Sequence, residues 1–189
     1  TNNQIFSIAN KEIEIRIKVL SENLLSGFLL ILTAPLILIS SFLIFLEDKG
    51  PIFYSQERDG LYGNKFKIFK LRTMKIDAEQ DGAQWSHKND KRITKVGKFL
   101  RKTRIDELPQ LVSVLKGDMS LIGPRPERRV FNKFLEKEIP FYNLRHEVLP
   151  GISGWAQVNY YYGSSLEDSK IKLGYDLYYI KHFSNFLDL

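Results

Sequence analysis

Leu24 to Leu46 reads LLSGFLLILTAPLILISSFLIFL, 23 residues without a charge, and no other feature restricts the fold as strongly. A helix needs about 20 apolar residues to cross a bilayer, so the run is long enough. It is too long for the h-region of a cleavable signal, about 7–15 residues, and no small-residue cleavage site follows it. Pro35 lies near its middle, where it deletes a backbone hydrogen bond and kinks a helix. Thr33, Ser40 and Ser41 offer hydroxyls to carbonyls freed by such a kink. Lys11, Arg16 and Lys18 precede the run, while Lys49, Arg58, Lys65, Lys67, Lys70, Arg72 and Lys75 follow it. Basic flanks mark the cytoplasmic side of a membrane segment, and here both flanks are basic. Three readings fit: a re-entrant helix that bends at Pro35 and leaves by the face it entered, a full span, or a soluble core helix. The first reconciles the two flanks.

The chain has 189 residues and a net charge of +6. That length allows one compact domain, or one domain plus a membrane element. The positive balance favours acidic lipid, phosphorylated small molecules or nucleic acid. Nucleic acid would leave the apolar run unexplained, so no nucleic-acid partner is expected. The absence of cysteine excludes a disulfide framework and a thiolate metal site, and fits a cytoplasmic face. A chain that begins at Thr1 is expected to be part of a longer protein. A homo-oligomer is compatible with the sequence, which does not fix the oligomeric state.

Along the chain, residues 11–22 fit either a strand or a helix, and continuity with the apolar run favours helix. Ile52–Tyr54 and Lys65–Leu71 read as strands around the turn-rich segment Arg58–Asn64, a β-hairpin signal. Residues 77–90 are polar and read as a mobile loop. Ile93–Lys102 reads as a basic amphipathic helix. Pro109 suits the first turn of a helix that ends before Gly117, with Asp106 and Glu107 at its positive end. Glu127–Glu138 and Leu166–Lys181 read as helices, and Pro150–Trp155 as a turn. The expected fold is α+β and mainly helical: residues 1–48 form a membrane-associated broken helix, and residues 49–189 a small cytoplasmic catalytic domain with a short hairpin.

Residues 101–126 carry the chemistry. Asp106 and Glu107 sit among Arg101, Lys102, Arg104 and Arg125. Cations that hold a phosphorylated substrate, beside acids that supply a nucleophile and a metal ligand, suit phosphoryl chemistry. The bland reading is a solvated helix end, the ordinary place for adjacent acids. Gly123-Pro124-Arg125-Pro126 is stiff because both prolines fix φ, so it can aim one guanidinium at a phosphate or merely pair it with a carboxylate. Lys70 and Arg72 suit phosphate or lipid headgroups, or an exposed basic strand end. Trp155 and Gln157 could stack on and hydrogen-bond a base, or pack the core or the membrane interface. His87, His146 and His182 lack zinc-site spacing. Neither a P-loop nor a Rossmann glycine pattern occurs.

With these motifs in order, the chain resembles the bacterial sugar transferase family, the monotopic phosphoglycosyl transferases. The resemblance rests on Pro35, the stretches 50–58, 69–74, 105–110 and 116–126, and residues 150–158, and it covers nearly the whole chain. It implies transfer of a sugar-1-phosphate from a UDP-sugar to a polyprenyl phosphate at the cytoplasmic face of the bacterial inner membrane, as a step of glycoconjugate assembly. It implies Asp106 as nucleophile and Glu107 as its partner in the dyad, with Mg²⁺ beside both. Lys70, Arg72, Arg104, Arg125, Gln157 and, more remotely, Asp176 are the expected substrate- or phosphate-binding positions. It also implies a re-entrant helix broken at Pro35 among membrane lipids. Two departures stand out. Ala34 precedes Pro35 where the family has serine, so Thr33 is the expected substitute hydroxyl. Asn159 is followed by Tyr160-Tyr161-Tyr162-Gly163, which, with LGYDLYYIKH at 173–182, is similar to the larger exopolysaccharide-type members. Leu187-Asp188-Leu189 resembles an unfinished family C-terminus.

Overall fold

A computed structural model describes residues 2–80, 82, 90–160 and 165–189, with side chains described from residue 12 onward. Most of the expected loop at 77–90, including His87, and residues 161–164 lie outside the described residues. The chain opens with helix α1 (Asn2–Asp48), which carries Pro35 inside it. An antiparallel hairpin follows, β1 (Phe53–Asp59) and β2 (Lys65–Leu71), in a register that pairs Tyr54 with Lys70 and Arg58 with Phe66. Helix α2 (Lys95–Thr103), a 3₁₀ turn (Ile105–Gln110) and α3 (Leu111–Leu115) lead to β3 (Ser120–Ile122). After α4 (Arg129–Glu138), β4 (Gly151–Ser153) pairs in parallel with β3. Helices α5 (Trp155–Asn159), α6 (Leu166–Lys181) and α7 (Asn185–Asp188) complete the chain. The architecture is mainly helical with the expected hairpin, and β3 with β4 adds a second two-stranded sheet where residues 150–155 were expected to form a turn.

Helix α1 is a continuous helical segment through Pro35, so the expected break is not an interruption of the helix. Proline there leaves the carbonyl of Ile31, four residues back, without its helical donor. The Thr33 hydroxyl bonds the Leu29 carbonyl at 2.7 Å, so it does not supply that missing donor. What distinguishes the helix is its sidedness. Lys18, Glu22, Ser26, Thr33, Ile37, Ser40 and Ile44 recur at helical spacing and are buried or half-buried. Leu24, Phe28, Ile31, Leu38 and Phe42 on other faces are each more than 60% exposed. The buried stripe is largely polar and the exposed surface apolar, the inverse of a soluble amphipathic helix.

The stripe docks along the rest of the protein. Lys18 Nζ contacts the Ile122 carbonyl, Asp188 and, at 2.8 Å, Glu22. Glu22 also accepts from Ser120 Oγ at 2.8 Å. Further along, Ile37 and Ile44 join a core of Leu71, Leu100 and Ile105. At the end, Glu47 accepts from the backbone N–H groups of Lys95 and Val96 at the start of α2, where a carboxylate complements the helix dipole. Asp48 pairs with Arg72. Both flanks of the apolar run are therefore bonded to the same folded body.

Thr94 caps α2 by accepting from Gly97 N, and Gly97 lies against β2's exit: a Cβ there would stand 2.0 Å from the Thr73 carbonyl oxygen. That oxygen is backbone and cannot rotate away. Gly97→Ala is expected to destabilise the protein by about 1–3 kcal/mol, seen as a lower midpoint of thermal unfolding. Gly174→Ala in α6, where nothing crowds the new methyl, is expected to leave the midpoint unchanged or raise it.

Candidate active site

The dyad sits on the 3₁₀ turn between α2 and α3. Arg104 ends α2 in the left-handed region, at φ +60°. A non-glycine residue there is strained, and the reversal turns the chain inward. Pro109 is tolerated because so short a turn asks little of its missing N–H. As a result Asp106 and Glu107 are only 6% and 7% exposed. They are not the solvated helix end that adjacent acids usually form.

Three segments converge on Glu107. Lys70, from β2, donates to Oε1 at 2.8 Å, and Arg125, from the loop after β3, donates to the same oxygen at 2.6 Å. Arg104 stands 3.7 Å away. Burial disfavours ionisation of Glu107, but Arg125 and Lys70 outweigh it and hold the carboxyl well below the usual range. The same arrangement costs Lys70 some of its charge. Burial, followed by the nearby Arg125, pulls its pKa down to about 8, against the opposing pull of Glu107.

Asp106 is in the opposite situation. Burial pushes its carboxyl above the ordinary value; Lys70, Arg101 and Arg104 oppose the rise, and Glu107 adds to it. Its Oδ1 is buried with no hydrogen-bond partner among the described residues. Adjacent acids thus have different environments: one is clamped by cations, and the other keeps an uncommitted oxygen. An uncommitted carboxylate oxygen suits a nucleophile, or a ligand to a hard cation. Among the described residues no three His, Asp or Glu side chains gather as a metal cage. Mg²⁺ commonly needs only one or two carboxylates, with phosphate and water supplying the rest, and Asp106 with Glu107 meets that requirement.

The other expected residues are placed as follows. Lys70, Arg104 and Arg125 surround the dyad. Arg72 does not: it is buried, and its guanidinium binds the Asp48 carboxylate and the Pro51 carbonyl, fastening α1 to β2. Gln157 donates weakly to the Ile152 carbonyl, and its buried Oε1 is unpartnered. It adjoins the Arg125 loop through Gly154, whose Cβ position lies 2.1 Å from the Gly123 carbonyl oxygen. Asp176 reaches the site indirectly. It is buried in α6 and pairs at 2.9 Å with Arg145, which donates to the backbone carbonyl of Arg125 at 2.8 Å. Arg145 also donates to the Tyr142 hydroxyl at 2.9 Å. No sequence signal marked Arg145, whose partner Asp176 lies 31 residues further along the chain.

A buried carboxylate dyad in a cationic frame, mounted beside a long apolar helix, has the chemistry to hold a phosphate group. The chain belongs to the bacterial sugar transferase family: the family model of that description matches residues 13–189. It is similar to the UDP-N-acetylgalactosamine-undecaprenyl-phosphate N-acetylgalactosaminephosphotransferase of Aeromonas hydrophila, 53% identical over 84% of this chain and 37% of that protein. It is also similar to two UDP-glucose:undecaprenyl-phosphate glucose-1-phosphate transferases. That of Klebsiella pneumoniae is 42% identical over 91% of this chain and 37% of its own length. That of Escherichia coli K12 is 39% identical over 87% and 36%. The chain thus spans little more than a third of each of these relatives.

Lys70 gives the site a defined pH dependence. As pH rises through about 8 the folded protein loses this cation, so affinity for inorganic phosphate is expected to fall over that range. Lys70→Arg keeps its charge and is expected to retain affinity to about pH 10. Isothermal titration of phosphate at several pH values measures both.

Proposed function

We propose that this protein transfers a sugar-1-phosphate from a UDP-sugar to a polyprenyl phosphate through a covalent bond to Asp106. The observation that carries this reading is the contrast within the dyad, an uncommitted Asp106 oxygen beside a Glu107 held by Lys70 and Arg125. Asp106 attacks the phosphorus that bears the sugar. The bond from that phosphorus to the UMP oxygen breaks, its electron pair leaves with UMP, and a sugar-phosphoryl aspartate remains. An oxygen of polyprenyl phosphate then attacks the same phosphorus and releases the Asp106 carboxylate. Lys70, Arg125 and Arg104 bind phosphoryl oxygens and stabilise the charge that builds on them. Glu107 keeps the first two oriented. Asp106 and Glu107 would hold a Mg²⁺ ion, which would supply further charge neutralisation at the diphosphate. The Aeromonas relative makes UDP-N-acetylgalactosamine the first donor to test, and UDP-glucose the second.

The lipid-borne acceptor requires the dyad to lie at headgroup height, and the docking of α1 supports that placement. From Glu22 to Asp48 a straight helix measures about 39 Å, more than the hydrocarbon core of roughly 30 Å. A transverse span would put these two residues on opposite sides of the bilayer, yet both bond to the one folded body. We infer a helix that enters and leaves by the same face, apolar surface toward lipid and polar stripe toward the catalytic domain. The catalytic domain then lies on the cytoplasmic face.

Asp106→Asn is expected to abolish UMP release, a loss of at least about 10³-fold, whereas Arg72→Lys is expected to lower stability and leave UMP release per folded molecule near wild type. A coupled UMP assay with each UDP-sugar decides this. For topology, cysteines placed at Asn3 and Lys49 are expected to react with a membrane-impermeant reagent from the same side. Labelling from opposite sides would refute the re-entrant reading.

A further inference from the structure

Arg58 has no place in the chemistry above, and its surroundings are unusual. It projects from β1 on the same face as Tyr54 and Gln56 and pairs across the hairpin with Phe66. The fully buried arginines are matched by carboxylates, Arg72 by Asp48 and Arg145 by Asp176, whereas Arg58 is half-buried. Arg58 forms no ion pair among the described residues, and its Nε is buried without a hydrogen-bond partner. Burial pulls its pKa down to about 10; Glu127 and Tyr54 oppose the fall, while Arg125 and Arg128 deepen it. Of the neighbours that bear on it, Arg128 is already paired with Glu79, and Arg125 with Glu107. A guanidinium taken out of water without a counterion is costly. A guanidinium with no ion pair of its own, close to two further arginines, is suited to an anion brought by a ligand.

Position indicates which part of the ligand. Lys70 is opposite Tyr54 and Arg58 is opposite Phe66 on the hairpin, four residues apart along a strand, or about 13 Å at the usual rise. Arg125 is close enough to both Lys70 and Arg58 to lower the pKa of each. Lys70 and Arg125 hold the end of the site at the dyad, and Arg58 marks the end away from it.

We propose that Arg58 is a substrate-binding residue whose guanidinium receives the phosphoryl group farther from Asp106, the one that departs with the nucleotide. In this role it takes up negative charge on the leaving group as the phosphorus–oxygen bond breaks. The assignment rests on the transfer reading for the identity of the ligand, but the anion site can be tested without it.

The probe is inorganic pyrophosphate, added to the full chain in detergent with Mg²⁺, with thermal unfolding as the readout. Wild type is expected to melt higher with pyrophosphate. Arg58→Gln is expected to melt no lower than wild type without ligand, since no protein carboxylate loses its partner, and to bind pyrophosphate at least tenfold more weakly. Arg58→Lys is expected to recover part of that affinity. With a UDP-sugar, Arg58→Gln is expected to lower kcat/KM for UMP release at least tenfold. A pyrophosphate shift in Arg58→Gln equal to that of wild type, no shift in wild type, or an Arg58→Gln protein that is only destabilised would each overturn the proposal. A pyrophosphate shift that depends on Arg58 in a protein that releases no UMP from any UDP-sugar would sustain the anion site and refute the transfer reading.

Discussion

The Glu107 carboxylate is where the catalytic half of the molecule is tied together. A hairpin strand supplies Lys70, a stiff loop supplies Arg125, and the short turn that carries Glu107 supplies Asp106. Charge-assisted bonds at 2.6 and 2.8 Å in a poorly solvated place are among the stronger non-covalent links available. Removing either cation would leave the acid buried and undercompensated. The pairing also explains how two adjacent acids acquire different chemistry. Glu107 takes up the nearby cationic donors, and Asp106 is left with a free oxygen and a carboxyl that burial biases toward protonation. A divalent cation beside it would shift that balance toward the charged, nucleophilic form.

The loop that aims Arg125 is supported from behind. Asp176 fixes Arg145, and Arg145 holds the Arg125 backbone. Gly123, Gly151 and Gly154 let β3 and β4 approach so closely that a Cβ on any of them would meet backbone atoms within 2.4 Å. Rigid support of this kind keeps a charged group in place before substrate arrives, and so lowers the cost of ordering it on binding. Helix α1 plays a parallel role on a larger scale. Its polar stripe is bonded to the rest of the fold from Lys18 to Asp48, and its apolar surface stays exposed.

Much of this was legible in the sequence, because some signals are local. The apolar run, the strand at 65–71 and the helix at 166–181 follow from composition, periodicity and capping, and α6 indeed begins with a capping box at Ser165. The dyad and its cations were legible because Asp106, Glu107 and Arg125 lie in motifs with known company. What could not be read depended on distant partners. The parallel pairing of β3 with β4 involves strands of three residues each, too short to show a period, so 150–155 read as a turn. Arg72 read as a ligand for phosphate because Asp48, its partner, lies across the end of α1. Asp176 was singled out without the Arg145 that connects it to the site. The polar stripe of α1 was hidden for another reason: a few serines, a threonine and one ion pair hardly alter the hydropathy of so apolar a helix, yet their spacing decides which side faces protein.

The central claim is that the uncommitted carboxylate of Asp106 becomes covalently bound to phosphorus. The most direct test incubates the protein with a UDP-sugar, Mg²⁺ and no polyprenyl phosphate, quenches it in acid, and maps the digested peptides by mass spectrometry. The account predicts a sugar-phosphate adduct on the peptide that contains residues 105–110, localised to Asp106 and removed when polyprenyl phosphate is supplied before quenching. UMP formation with no adduct, or with the adduct on another side chain, would contradict it.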